Sequence, residues 1–363
     1  MQANMIYWVV IFIGFTLLPY SFIQIRKKIQ EKIVISFLFY LLLITCSTIT
    51  SVDIGSSSLL LLLNVVFFEL FISAGTILRS IELKASFFKV IIFIVSILSI
   101  ISNYNFLYLK HVNLQTEGLS YMWIYFGHNH LAALLVIAIP MLYYFIITSA
   151  SKTSKVLLIS LFIFLILSLI MTLARGAIAS LIIASLVGFF MFVKASFEKY
   201  QTRLLGIFLI GVLFVSSIVT INFFKRVNSF YPRIAHIEKS LNMFINRPIF
   251  GYGQGTYKLI YIKGATNYTH FAHNLPAQII AEQGMLGLIS IMIILFQILR
   301  NAYFNINIME DKREKNLKIA MWVILIGLLI NEMIDFDLQI VSVGSLFWIL
   351  AGLVYPKKNK SVI

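Results

Sequence analysis

Two histidines, an asparagine, a glutamine and a glutamate crowd HFAHNLPAQIIAEQG, residues 270–284, where a long apolar run begins. Histidine is the side chain best suited to moving a proton near neutral pH. Asn274 can cap a helix whose first turn contains Pro276. On that helix Asn274, Gln278 and Glu282 recur at i, i+4 and i+8, so they share one face. Helix rise would put Glu282 about 9 Å below Pro276. A carboxylate facing lipid there costs roughly 2–3 kcal/mol or more. The stripe is therefore expected to face a wet pocket with His273 at its rim, although a capping and packing network would use the same residues.

Cations come next. The apolar stretch 156–193 would make a continuous helix of about 57 Å, nearly twice a ~30 Å hydrocarbon core. It must fold back, and Arg175-Gly176 is the natural break. Arg175 then sits at the membrane surface, either as a snorkelling interfacial arginine or as a fixed cation for a phosphate. Arg233 starts a helical pattern in which Ile234, Ile237, Leu241, Phe244 and Ile245 recur at three- and four-residue steps. That pattern predicts an amphipathic helix lying on the membrane. An arginine at a helix N-terminus gains little from the dipole unless an anion intervenes; a plain surface arginine is the alternative. Arg247 stands just before Pro248, which closes this helix, and Phe250–Gly255 is a glycine-rich turn. GQGTYK lacks the ending of a Walker A loop, and no strand precedes it as a dinucleotide fold requires. His128, His130, His270 and His273 match no specific zinc spacing, so no metal is expected.

These groups are set in a chain that is 60% hydrophobic and only 12% charged, with a mean hydropathy of +0.94. A soluble domain carries roughly 25% charge. The expectation is an all-α polytopic membrane bundle, one integral domain over 1–363. About eleven spans are predicted at 5–25, 33–50, 57–78, 86–104, 130–149, 156–173, 177–193, 204–222, 276–299, 319–334 and 341–355. The first span resembles no cleaved signal, because its basic residues Arg26-Lys27-Lys28 follow it rather than precede it. Cys46 is the single cysteine, so no intrachain disulfide forms.

The net charge of +15 does not point to nucleic acid. With the N-terminus outside, the short basic linkers all fall on one side, as the positive-inside rule expects. The exception is the long hydrophilic loop 223–275. It lies on the outside yet holds Lys225, Arg226, Arg233, Lys239, Arg247, Lys258 and Lys263. Cations and histidines thus gather on the outer face.

In order and spacing, four stretches resemble the O-antigen ligase and polymerase superfamily of bacterial membrane enzymes. GHNHLA, containing Asn129, resembles its Asn-bearing helix start, and TLARGA its Arg-Gly-Ala break. Arg233, followed by Pro248-Ile249-Phe250-Gly251-Tyr252-Gly253, resembles its loop arginine and Pro-x-x-Gly-x-Gly turn. AHNLPAQIIAEQGMLGL resembles its Ala-His-Asn helix start. Ile237 departs from the pattern, standing where the family usually has Trp. The resemblance implies an undecaprenyl-diphosphate-linked glycan donor at the outer face of the inner membrane, surrounded by membrane lipids. It implies His273 as base for the acceptor hydroxyl, and Arg175 and Arg233 as contacts to the leaving diphosphate. Asn129, Arg247, Asn274, Gln278 and Glu282 are the further candidate substrate contacts. Neither cofactor nor metal is implied. The acceptor is lipid A-core for a ligase, the nearer match, or another glycan for an O-antigen, capsular or teichuronic polymerase. A lipid-linked glycan transporter is the rival, disfavoured because the ionisable groups gather at helix ends and no internal repeat is visible.

Overall fold

The computed structural model describes residues 2–28, 30–111, 127–195, 230–260 and 271–355. The described residues form helices joined by short turns: α1 (Gln2–Lys28), α2 (Lys32–Ile49), α3 (Ile54–Ile77), α4 (Ile81–His111), α5 (Gly127–Thr148), α6 (Lys152–Thr172), α7 (Arg175–Ala195), α8 (Phe230–Asn246), α9 (Leu275–Ile308), α10 (Lys312–Asn331) and α11 (Val341–Val354). Among them α2, α3, α4, α5, α6 and α9 are long and apolar enough to cross a membrane, and α7 and α11 are shorter apolar helices. The predicted span 204–222 lies outside the described residues, as do His270 and the side chain of His128.

A lipid-level backbone must satisfy its own polar groups, which leaves the helix as the available form. Hydroxyls inside these helices do the same by donating to the preceding turn: Thr45 to Leu41 O at 2.7 Å, Ser96 to Ile92 O at 2.7 Å, Thr148 to Tyr144 O at 2.8 Å. Asp53 caps α3 by accepting the Ser56 N–H at 3.1 Å, and Ser151 caps α6. Large apolar side chains stay exposed along single faces, such as Phe39 and Leu42 on α2 and Ile293 and Phe296 on α9. Such faces suit lipid rather than water.

Contacts group the chain into two units, each discontinuous in sequence. The first comprises 1–78, 226–304 and 332–363; the second comprises 79–225 and 305–331. In the first, α3 is the hub, with α1, α2 and α11 packed on it. Phe37, Phe68, Phe71 and Trp348 form its aromatic core. A side chain at Gly352 would strike the backbone of Phe71, so the α3–α11 crossing depends on small residues. In the second unit α5 is the buried helix, enclosed by α4, α6, α7 and α10. Gly188 and Gly327 let α10 approach α7.

The apolar run 156–193 is interrupted, as expected. Leu173 takes a left-handed conformation (φ 53°), ends α6, and Arg175 becomes the first residue of α7. The break falls just before Arg175-Gly176, and Gly176 is helical.

The break that matters most to the first unit is in α9. Gly284 adopts φ 68° and ψ −169°, so a short segment, 275–283, precedes the long apolar one. An interrupted helix exposes carbonyl and amide groups. The turn after α8 takes three of them. The Tyr252 N–H donates to Ala281 O at 3.2 Å and the Gly253 N–H to Glu282 O at 2.8 Å, while the Met285 N–H donates to Pro248 O at 2.9 Å. Ser47 of α2 adds its hydroxyl to Phe250 O at 2.6 Å and Glu282 O at 3.1 Å. The turn and the break are one splinted joint. A side chain on Gly251 would run into Glu282 backbone, and one on Gly284 into Ile249 O. Gly284→Ala should therefore destabilise the protein by about 3 kcal/mol, read as a lower melting temperature in detergent. An unchanged melting temperature would show that the joint is not needed for the fold.

Candidate functional site

The site is built where α8, the start of α9 and the 332–340 turn of the first unit meet. The amphipathic helix is present, and its faces are instructive. Ile234, Leu241 and Ile245 are exposed, whereas His236, Lys239, Ser240 and Met243 are buried. Its polar stripe turns into the protein and its apolar stripe turns out, the arrangement expected of a helix resting on a membrane surface.

That inward stripe is held by Tyr257. Its hydroxyl donates to His236 O at 2.9 Å, its carbonyl accepts from Lys239 Nζ at 2.8 Å, and Lys239 Nζ lies 4.1 Å from its ring centre. Burial pushes the Tyr257 hydroxyl up to about 12 and the Lys239 ammonium down. The Tyr257 N–H in turn donates to Glu282 Oε1 at 2.9 Å. Glu282 is thus a buried backbone acceptor that also lines a cavity. Met243, Tyr257, Ala272, Ala277 and Ala281 fill the space between these parts.

The expected cap of α9 is present. Asn274 Oδ1 accepts the Ala277 N–H at 2.9 Å, and its Nδ2 donates to Met333 O at 2.8 Å. Gln278 Oε1 accepts the Ala272 N–H at 2.6 Å. These bonds hold a tight bend in which His273 has φ 51°, a sparsely populated conformation for a non-glycine residue. Strain of this kind persists only where the surroundings impose it.

The bend aims His273 at a carboxylate. Its Nδ1 stands 3.4 Å from Asp335 Oδ1. Phe336 packs edge-on against the His273 ring at 4.8 Å, and Phe271 stacks on Phe336 at 4.2 Å. The His236 ring lies nearly parallel to His273 at 5.8 Å. Burial, His273, Lys239 and Arg233 all hold His236 below its ordinary range. Two further carboxylates, Glu332 and Asp337, are fully buried behind Asp335. Glu332 Oε1 accepts the Leu338 N–H at 2.9 Å, while Oε2 has no partner. Burial, and then Asp337, push Glu332 well above the usual carboxylate range.

Arg233, on the first turn of α8, belongs to this cluster through its charge on His236. Arg247 does not. It lies fourteen residues further on, about 21 Å along helix rise. There Nη1 donates to Thr50 O at 3.1 Å, and the guanidinium covers the Tyr252 ring at 4.7 Å. Gln278 and Glu282 line the cavity and Asn274 does not, so the stripe divides between pocket and cap. Asn129, on the first turn of α5, and Arg175 belong to the second unit. Among the described residues no three His, Cys, Asp or Glu side chains converge as a metal site.

Asp335 and His236 were not among the residues expected at the site. His236 could have been found from its i, i+3 relation to Arg233 on a helix with an obvious polar face. Nothing in the sequence paired Asp335 with His273.

A known-family model described as O-Antigen ligase matches residues 160–292, which include Arg175, α8, the glycine turn and the His273 bend. No curated protein matches the chain.

The buried titrating groups set a pH profile. Glu332 binds its proton more tightly when folded, so its contribution is present below the ordinary carboxylate value of 4.5 and is lost as pH rises through the raised folded value. His236 binds its proton less tightly when folded, so its contribution is present above 6.5 and is lost as pH falls. Glu332→Gln should therefore lessen the fall in melting temperature as pH rises above 4.5. An identical fall in both proteins would exclude Glu332 as its source.

Proposed function

We propose that this chain, a member of the O-antigen ligase and polymerase superfamily, transfers a glycan from a polyprenyl diphosphate onto an acceptor hydroxyl at the outer face of the bacterial inner membrane. The observation that carries the reading is the His273–Asp335 pair, imposed by a strained bend beside Arg233. With Nδ1 turned to Asp335, His273 Nε2 is left to take a proton. The acceptor oxygen attacks the anomeric carbon of the donor sugar and its proton passes to Nε2. The bond from that carbon to the diphosphate oxygen breaks, and the polyprenyl diphosphate leaves with the electron pair. The imidazolium that forms is stabilised by Asp335, as a buried carboxylate stabilises a protonated histidine in hydrolases.

Negative charge builds on the diphosphate as it departs, and a positioned guanidinium lowers that cost. Arg233 has this role, beside a His236 whose surroundings disfavour its charged form. Arg175 is the second proposed diphosphate contact, on the strength of the family resemblance. Asn129 and Arg247 are kept as proposed substrate contacts on the same ground. Asn274, Gln278 and Glu282 serve by shaping the bend and the cavity wall.

Lipid A-core is the proposed acceptor; a second lipid-linked repeat unit is the alternative, which uses the same donor chemistry. Purified protein in liposomes with lipid-linked repeat units, with and without lipid A-core, separates them on a gel. A product only when lipid A-core is present supports the ligase. A ladder from donor alone makes the protein a polymerase, and no product in either tube argues against transfer. Arg233→Ala should lower kcat/KM for the donor by about 100-fold, a loss of roughly 3 kcal/mol of transition-state stabilisation. Wild-type kinetics in that variant would remove Arg233 from the diphosphate site.

A further inference from the structure

The first unit encloses a half-open cavity of about 310 Å³. It lies behind the catalytic bend: Phe271 and Leu275, two residues either side of His273, line it. Two backbone steps reach at most about 7 Å, so an occupant would sit close to the proposed base.

Its wall is mixed. Leu59, Leu63, Phe67, Phe347 and Trp348 line it together with Tyr40, Asn64, Gln254 and Gln283. The polar residues form an amide and hydroxyl network with loose ends. The Tyr40 hydroxyl donates to Asn64 Oδ1 at 3.4 Å, and Asn64 Nδ2 donates to Gln254 Oε1 at 3.1 Å. Gln254 Nε2 and Gln283 Oε1 have no hydrogen-bond partner. Gln254 is 3% exposed and Gln283 is 8% exposed. Buried amide atoms are rarely left unpaired, and here one missing partner is an acceptor and the other a donor.

A hydroxyl-bearing ring answers both, once a rotation of each amide brings its covered atom to the cavity surface. An alkyl chain would leave both amides unpaired. A phosphate would meet Lys258 but also the Glu282 carboxylate on the lining, and it could accept from Gln254 Nε2 but not donate to Gln283 Oε1. Building on the transfer reaction above, we propose that this cavity binds a neutral sugar ring of the glycan substrate. The Gln254 amide donates to one hydroxyl, the Gln283 carbonyl accepts from another, and Trp348 and Phe347 offer an apolar wall to the ring's C–H face. The volume is at the small end of ligand pockets and suits one or two rings. The amide pair would therefore select the sugar nearest the bond being made.

The test uses the full chain in detergent, with Gln254→Leu, Gln283→Leu and the double variant. Saturation-transfer NMR with glucose, galactose, mannose and N-acetylglucosamine should show transfer to at least one sugar in the wild type and lose it in the double variant. In the transfer assay, KM for the substrate bearing that ring should rise about tenfold, with melting temperature kept or raised. Whether the donor's or the acceptor's KM moves identifies the source of the ring. No saturation transfer to any sugar, or the same signal in the double variant, would overturn the proposal. So would tighter polyprenyl phosphate binding by the leucine variants, which marks a lipid-tail groove. A wild type that binds sugar but transfers none would refute the reaction and leave the cavity standing. A wild type that transfers, with KM unchanged in the variants, would do the reverse.

Discussion

The constraint from which the site follows is a backbone one: a helix interrupted at Gly284 must find partners for its freed carbonyls and amide. In water these groups would be solvated. Within an apolar bundle each unpaired one costs on the order of several kcal/mol. The 248–253 turn supplies the partners, and it comes directly off α8. The break thus ties the surface helix to the first segment of α9. Tyr257, bonded at once to Glu282, Lys239 and His236 O, fixes their register. His236, Arg233 and His273 are consequences of that joint.

Polar groups at the end of an apolar bundle divide into those that build and those that react. Glu282, Gln278 and Asn274 each have backbone partners, and the glycines make room for other backbone. His273 is different, since it occupies a strained bend and faces a carboxylate rather than a peptide group. The buried acids behind it fit the same division. Glu332 is raised by burial and then by Asp337, so its charged form is disfavoured within the 332–340 segment. Asp335 is the carboxylate that reaches the histidine.

Much of this was legible in the sequence. Apolar run length gave the helices of the described region, because a bilayer fixes the length of a span. The break near Arg175 followed from the same arithmetic, placed about two residues late because a leucine, not the glycine, takes the left-handed position. Asn274 with Pro276 announced a helix start, and the three- and four-residue steps after Arg233 announced α8. The interruption at Gly284 was hidden, since a glycine within an apolar run is compatible with an unbroken helix and only the distant 248–253 turn makes the break favourable. The Asp335–His273 pair was hidden for the same reason. It joins residues 62 apart, and no local pattern encodes a contact made by two loops. Arg247 is a further case: its charge and place in the loop suggested substrate, and no local pattern encoded its contacts to Thr50 and Tyr252.

The most direct measurement compares donor binding and glycan transfer on a single His273→Ala preparation. If His273 acts as the base, the protein accumulates in the membrane and binds the lipid-linked donor with near wild-type affinity, while transfer falls at least about 100-fold. Transfer at the wild-type rate would contradict that role outright. Loss of donor binding together with transfer would make His273 part of the substrate cradle rather than the group that moves the proton.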